Sequence, residues 1–189
     1  SVPQAVSYLK QHKGYEDLFE RYNEADLHRG QIEKMLRLTV YRDFSKLYRF
    51  ANVEQRKFLA LYFKRYEVSV IKECLNTVFD HRDVVLNLSI FDEFFNKHSQ
   101  LDINLLASSR TIEELIANLK GTEYYAPLSQ LADIERPTLF DYEMTLDLYY
   151  FAQMWKDRSK VVTKRDLEEL TAAWGSKFDM LNLQWIYRS

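Results

Sequence analysis

Glycine and proline are scarce in this chain, and their scarcity limits the possible folds more than any other feature. Only four glycines and three prolines occur in 189 residues. A β-sandwich or β-barrel needs many turns, which depend on these residue types. The sequence therefore predicts an all-α fold, and its apolar content of 47% is ample for a hydrophobic core.

Similar segments recur along the chain with an offset of 107 to 112 residues. Three pairs match in the same order: residues 66–75 with 178–187, 13–16 with 120–123, and 32–36 with 142–146. Duplicated helical units of this size usually build scaffolds. We therefore predict a bundle of pseudo-symmetric repeats of about 110 residues, with repeat 1 over 1–80, repeat 2 over 84–189 and a seam at His81-Arg82-Asp83.

Helix starts are marked by capping residues. Each of three threonines stands three residues before an acid, the spacing of a capping box: Thr111 with Glu114, Thr138 with Asp141, and Thr163 with Asp166. These pairs predict helices that begin near Ile112, Leu139 and Lys164. Asn52 with Gln55 predicts a further helix that runs to about Phe79.

Helical periodicity also predicts a helix before Asn52. Its apolar residues recur at steps of three and four, and we expect them to form one buried stripe. The stripe consists of Ile32, Met35, Leu36, Val40, Phe44 and Leu47.

Charge is unevenly distributed, although the net charge is only −2. Residues 41–72 contain eight bases and three acids, whereas residues 112–147 contain eight acids and two bases. The basic stretch is interleaved with aromatic residues, which is a pattern that can bind nucleic acid. The pI of about 6.1 favours a protein partner instead.

Motifs of catalysis are missing from the sequence. The glycines are too scattered for a phosphate-binding or dinucleotide-binding loop, and the four histidines form no zinc motif. Glu24 and His28 could share a helix face, but a lone pair of this kind is common by chance. Cys74, the only cysteine, lies among helix-core residues and is expected to be a buried thiol, which fits a reducing, cytoplasmic setting. We expect no cofactor, metal or small-molecule ligand, no membrane-spanning segment and no signal peptide.

The end of the chain, Leu181-Asn182-Leu183-Gln184-Trp185-Ile186-Tyr187-Arg188, resembles a recurring segment of the V-type ATPase C-subunit family, whose eukaryotic counterpart is named with the letter d. Tyr66-Glu67 with Ile71-Lys72, residues 119–125, and Tyr142-Glu143 with Leu146-Asp147 support the resemblance. The family has three helical repeats arranged like a funnel. The resemblance therefore implies that opening helices precede Ser1 and that a third repeat follows Ser189.

The resemblance also implies a function. Family members are non-catalytic rotor components of the central stalk, on the cytoplasmic side of the membrane. They link the D and F proteins of the shaft to the proteolipid ring and transmit torque for ATP-coupled ion transport. Contact with the membrane occurs only through the ring. The coupling ion, proton or sodium, and the direction, synthesis or hydrolysis, stay open.

Basic residues on the predicted helices provide a hypothesis for partner binding. The five candidates are Arg42, Lys46, Arg49, Arg56 and Lys57. A generic helical scaffold would show the same repeats and caps, and a nucleic-acid-binding helical domain is a weaker alternative. An enzyme is the weakest class, because no set of polar groups converges on one site.

Overall fold

The computed structural model describes residues 1–20, 23, 27–80 and 86–188, with the side chains of 132, 133 and 188 excluded. All regular elements in this part of the chain are helical, as predicted. The helices are α1 (Val2–Lys10), α2 (Glu16–Phe19), α3 (Arg29–Phe50), α4 (Val53–Phe79), α5 (Asp92–His98), α6 (Ile103–Ser108), α7 (Ile112–Asn118), α8 (Tyr125–Ser129), α9 (Leu139–Val161) and α10 (Lys164–Arg188). Short 3₁₀ turns at Ser89–Phe91 and Gln130–Asp133 adjoin α5 and α8.

The chain divides into two compact units, Ser1–Phe50 and Ala51–Ser189. The first unit contains α1 to α3, and its core is a small apolar cluster. The members of this cluster are Val6, Leu18, Phe19, Leu27, Ile32 and Met35.

The second unit is organised around α4 and α9, which have the most extensive packing of any two helices in it. Asn76 bonds to Glu143, and Lys72 bonds to Asp147, so residue numbers rise on one helix as they fall on the other. The two helices are therefore antiparallel. Helix α10 packs along α9, while α6 and α7 pack on α4 and α8 packs on α9.

The capping predictions are confirmed. Asn52 Oδ1 accepts from the Gln55 amide at 2.9 Å, and Gln55 Oε1 accepts from the Asn52 amide at the same distance. Helix α4 ends at Phe79 after 27 residues. The three threonines precede α7, α9 and α10 at the predicted starts.

Two expectations about the chain path need comment. Gly121 has a φ of 88°, a backbone conformation that favours glycine, but α7 already ends at Asn118 and α8 begins only at Tyr125. The predicted seam at residues 81–83 lies outside the described residues, and the repeat organisation stays a prediction. Because α4 and α9 come from different predicted repeats, the two repeats would share one core.

Candidate partner-binding surface

Three of the five predicted partner-binding residues lie on one face of α3. Arg42, Lys46 and Arg49 follow one another at steps of four and three, which places them on the same side of a helix, and all three are exposed. Lys46 forms an ion pair with Asp43 on the same helix at 3.1 Å. Exposed pairs of this kind contribute little to stability, so this face remains predominantly basic.

Apolar side chains are exposed beside this basic face. Val40 is 50% exposed and Leu47 is 63% exposed, so their predicted burial is wrong, while Tyr41 is buried at 1%. Phe50 at the end of α3 is 83% exposed. The periodicity argument failed because Tyr41 is the apolar residue that is buried in this turn, and the buried side therefore rotates relative to the predicted stripe. Apolar and basic residues side by side are typical of a protein-binding surface.

The other two candidates belong to the second unit. Arg56 and Lys57 lie in the first turns of α4 and are exposed. Lys57 pairs with Glu54 at 2.9 Å within the helix. The structure therefore groups Arg42, Lys46 and Arg49, and it places Arg56 and Lys57 on a different helix of a different unit.

Part of the basic stretch is neutralised inside the second unit. Lys64 of α4 forms an ion pair with Glu123, which also accepts a hydrogen bond from the Tyr149 hydroxyl at 2.7 Å. Lys72 pairs with Asp147 of α9 at 2.6 Å. Both lysine side chains are less than a quarter exposed. Some of the opposed charge in the sequence therefore joins α4 to the α8 and α9 segments instead of facing a partner.

A buried carboxylate lies next to this network. Glu67 of α4 is 8% exposed and accepts hydrogen bonds from the hydroxyls of Tyr124, at 2.7 Å, and Ser99. Burial raises the pKa of Glu67, although both hydroxyl bonds oppose the shift. Burial and the neighbouring Glu67 charge also raise the pKa of Tyr124.

The geometry around Glu67 favours a structural role. The carboxylate borders a pocket of about 300 Å³, into which Lys64 and Glu123 also project. Both of its oxygens are occupied by hydroxyl donors from other segments. The sequence carries a signal for this role, because Glu67 is an acid within the apolar run Tyr66-Glu67-Val68, but nothing in it identifies the donors.

Helix α10 has the most exposed apolar surface. None of its described side chains is fully buried. On one side it packs against α9 around a groove of about 400 Å³, whose aromatic residues are Phe151, Trp155, Phe178 and Trp185. On the other side, Met180, Leu183 and Tyr187 are 66%, 64% and 91% exposed. A helix that is apolar on both sides is normally covered on both sides.

The described residues contain no group of three or more histidine, cysteine, aspartate or glutamate side chains placed to hold a metal ion. The predicted Glu24–His28 pair cannot be assessed, since Glu24 lies outside the described part. Cys74 is buried, as predicted, and burial raises the pKa of its thiol to about 12. Within the described part, no helix has both the length and the apolar character required to cross a membrane.

Comparison with known proteins identifies the family. The model of the family described as ATP synthase (C/AC39) subunit matches residues 1–189. The chain belongs to this family. The resemblance inferred from the closing Trp185-Ile186-Tyr187-Arg188 segment is thus confirmed.

Two curated members of the C/AC39 family are similar to the chain, and both are named as the C subunit of an A-type ATP synthase. The protein from Methanosarcina mazei is 30% identical over 152 residues, which cover 77% of this chain and 39% of the relative. The protein from Methanocaldococcus jannaschii is 23% identical over 160 residues, which cover 83% of this chain and 39% of the relative. The chain therefore spans about two fifths of the length of each relative. No solved structure is significantly similar to it.

Proposed function

We propose that the chain serves as a non-catalytic central-stalk component of an A/V-type ATP synthase. In this role it links the D and F proteins of the shaft to the membrane proteolipid ring, on the cytoplasmic side, and transmits torque for proton or sodium transport. It contacts the membrane only through the ring and uses no cofactor. The observation that carries the proposal is the family match over residues 1–189.

The second unit has the stiffness that torque transmission requires. Helix α4 contains 27 residues, α9 contains 23 and α10 contains 25. At 1.5 Å per residue, the longest of them extends for roughly 40 Å. The ion pair between Lys72 and Asp147 and the hydrogen bond between Asn76 and Glu143 tie α4 to α9 at successive turns. A load applied to one helix would therefore be shared with the other.

The basic and apolar face of α3 is suited to contact another protein of the complex. Arg42, Lys46 and Arg49 would attract acidic side chains, and Leu47 and Phe50 would be buried on contact. Arg56 and Lys57 at the start of α4 would contribute in the same way. The long-range attraction would weaken with salt.

The first experiment is affinity purification from the native host. A tag is added to the chromosomal gene, membranes are solubilised gently, and the co-purifying proteins are identified by mass spectrometry. Recovery of the shaft proteins together with the ring proteolipid supports the proposal. Recovery of soluble partners alone indicates a generic helical scaffold, and an excess of nucleic acid indicates a nucleic-acid-binding protein.

The second experiment tests the α3 surface in the same strain. The triple variant Arg42→Glu, Lys46→Glu, Arg49→Glu should lower recovery of the partner proteins by about tenfold or more, because each reversal replaces an attraction with a repulsion. A matched control, Lys97→Glu, Lys156→Glu, Arg165→Glu, makes the same change at exposed positions on other helices. Unchanged assembly of the triple variant at both low and high salt would refute a role for this surface.

A further inference from the structure

A second cationic feature lies where α4 and α10 approach one another. Arg65 of α4 is held in place by two tyrosines: its guanidinium carbon is 5.1 Å from the Tyr62 ring centre and 5.7 Å from the Tyr66 ring centre. It also donates a hydrogen bond to the Tyr62 hydroxyl. These contacts fix the guanidinium and leave the side chain exposed.

Lys177 of α10 lies close enough to Arg65 to sense its charge. One turn earlier, Trp174 stacks on Phe58 of α4, with ring centres 6.2 Å apart and planes 14° from parallel. Desolvation lowers the pKa of Lys177, and the positive charge of Arg65 lowers it further. Asp147 opposes this shift but does not cancel it.

The nearby acid is already engaged. Asp147 forms its ion pair with Lys72 at 2.6 Å, and within the described part of the chain no carboxylate oxygen lies within 4 Å of Arg65 or Lys177. The buried seam behaves differently, because Lys64 and Lys72 each have an acidic partner there. Arg65 and Lys177 thus form a cationic pair that lacks a counterion from the described chain.

We propose that the cationic pair of Arg65 and Lys177 binds an acidic segment of another protein. A fixed guanidinium matches the two oxygens of one carboxylate, and an adjacent ammonium can bind a second carboxylate or share the first. Tyrosine and arginine together are favoured at the centres of protein interfaces. The net charge of −2 and pI of about 6.1 disfavour a nucleic acid or an anionic membrane as the occupant.

The inference goes beyond the proposed function, because it requires a protein partner but not the shaft or the ring in particular. It also concerns a surface separate from the five predicted candidates, since Arg65 and Lys177 are not among them. Binding an acid at this position would restore the pKa of Lys177 towards its usual value.

The test uses a photo-cross-linker in the full-length protein, expressed from its chromosomal locus. Benzoylphenylalanine replaces Ala173, an exposed residue one turn before Lys177. Irradiation of isolated membranes should yield a cross-linked peptide from another protein that contains aspartate or glutamate. The variant Arg65→Gln, Lys177→Gln should lower the cross-linked yield by about tenfold or more, because the acid loses both of its cations.

A matched control removes the same charge elsewhere on α10. Lys164→Gln, Arg165→Gln should leave the yield unchanged, and thermal unfolding of both double variants should match that of the parent protein. If the first double variant fails to fold, Lys177→Gln alone provides the test, because this side chain is exposed on α10. A charge swap then identifies the contact: lysine in place of the cross-linked acid should abolish the cross-link, and adding Arg65→Glu should restore it.

Other outcomes would overturn the inference. Cross-links only to lipid, to nucleic acid, to a second copy of the chain or to a peptide without acidic residues would do so, as would a yield that the double variant leaves unchanged. Failure of the torque-coupling proposal would show itself separately, as absence of the shaft and ring proteins in the affinity purification. An acidic cross-link to some other protein would then leave the site in place and the function refuted.

Discussion

At the scale of single residues, Glu67 shows how a buried charge is accommodated. Its carboxylate is surrounded by the hydroxyls of Tyr124 and Ser99, with Lys64 and Glu123 as the nearby charges. Desolvation outweighs the hydrogen bonds, so the pKa is raised above its usual value near 4.5. The protonated form is therefore favoured in the folded state relative to the unfolded chain. This sets the sign of its contribution to stability.

We predict that Glu67 makes the free energy of unfolding fall as pH rises from about 4.5 through its raised pKa. Below this window both states bind the proton and the contribution is fully present, whereas above it the folded state must bury a charge. Glu67→Gln should remove this slope, and its stability relative to the parent should increase with pH across the window. Urea unfolding at a series of pH values measures the difference.

The control for this prediction is Glu168→Gln on the exposed face of α10, which should leave the slope unchanged. Glu67→Ala should destabilise the protein by about 1–3 kcal/mol, because it leaves the buried Tyr124 hydroxyl without an acceptor. Equal pH profiles for Glu67→Gln and the parent would contradict the electrostatic account.

At the scale of elements, the pairing of α4 with α9 depends on polar contacts as well as apolar burial. Lys72 and Asp147 have side-chain exposures of 22% and 24%, whereas the pair Lys57–Glu54 within α4 has exposures of 52% and 66%. Solvent screens the second pair much more than the first. The two pairs therefore form a natural comparison within one protein.

We predict a coupling energy of about 1 kcal/mol for Lys72 and Asp147 in a double-mutant cycle, since partial burial strengthens the interaction. The cycle consists of Lys72→Met, Asp147→Asn and their combination, followed by chemical denaturation. The same cycle with Lys57→Met and Glu54→Gln should give no more than about 0.5 kcal/mol. A larger value for the exposed pair would show that burial does not determine the ranking.

The limits of prediction from sequence are clear at this scale. Helix starts depend on local chemistry, so Asn52 and Thr138 identified α4 and α9 correctly. The Lys64–Glu123 pair joins residues far apart in the chain, and no local pattern reveals which distant acid a lysine meets. Val40 and Leu47 fit the apolar period of α3 but are exposed, because periodicity indicates which residues share a face and not how much of that face is covered.

At the scale of the whole molecule, the outer side of α10 is the surface most in need of a cover. Ala173, Ser176, Met180, Leu183 and Tyr187 follow one another at alternating steps of three and four, the spacing of a coiled-coil seam. The three large members are exposed. In solution the isolated chain can cover this seam only with another molecule, including a second copy of itself.

We predict that the isolated chain self-associates in a concentration-dependent manner through this seam. Met180→Gln with Leu183→Gln should raise the dissociation constant by at least about tenfold, because each large apolar side chain contributes roughly 1.5–3 kcal/mol when buried. Sedimentation equilibrium measures the constant. Gln184→Ala, on a different face of α10, should have no effect, and a monomeric parent chain at all concentrations would contradict the prediction.

The burial of Cys74 has a practical consequence for studying motion. Because the only thiol in the chain is enclosed and strongly disfavours its thiolate, maleimide dyes at neutral pH should leave it unmodified. An introduced surface cysteine would then be labelled alone, with the natural residue left in place. A fluorophore attached in this way would let single-molecule polarisation reveal whether the protein turns during ATP hydrolysis.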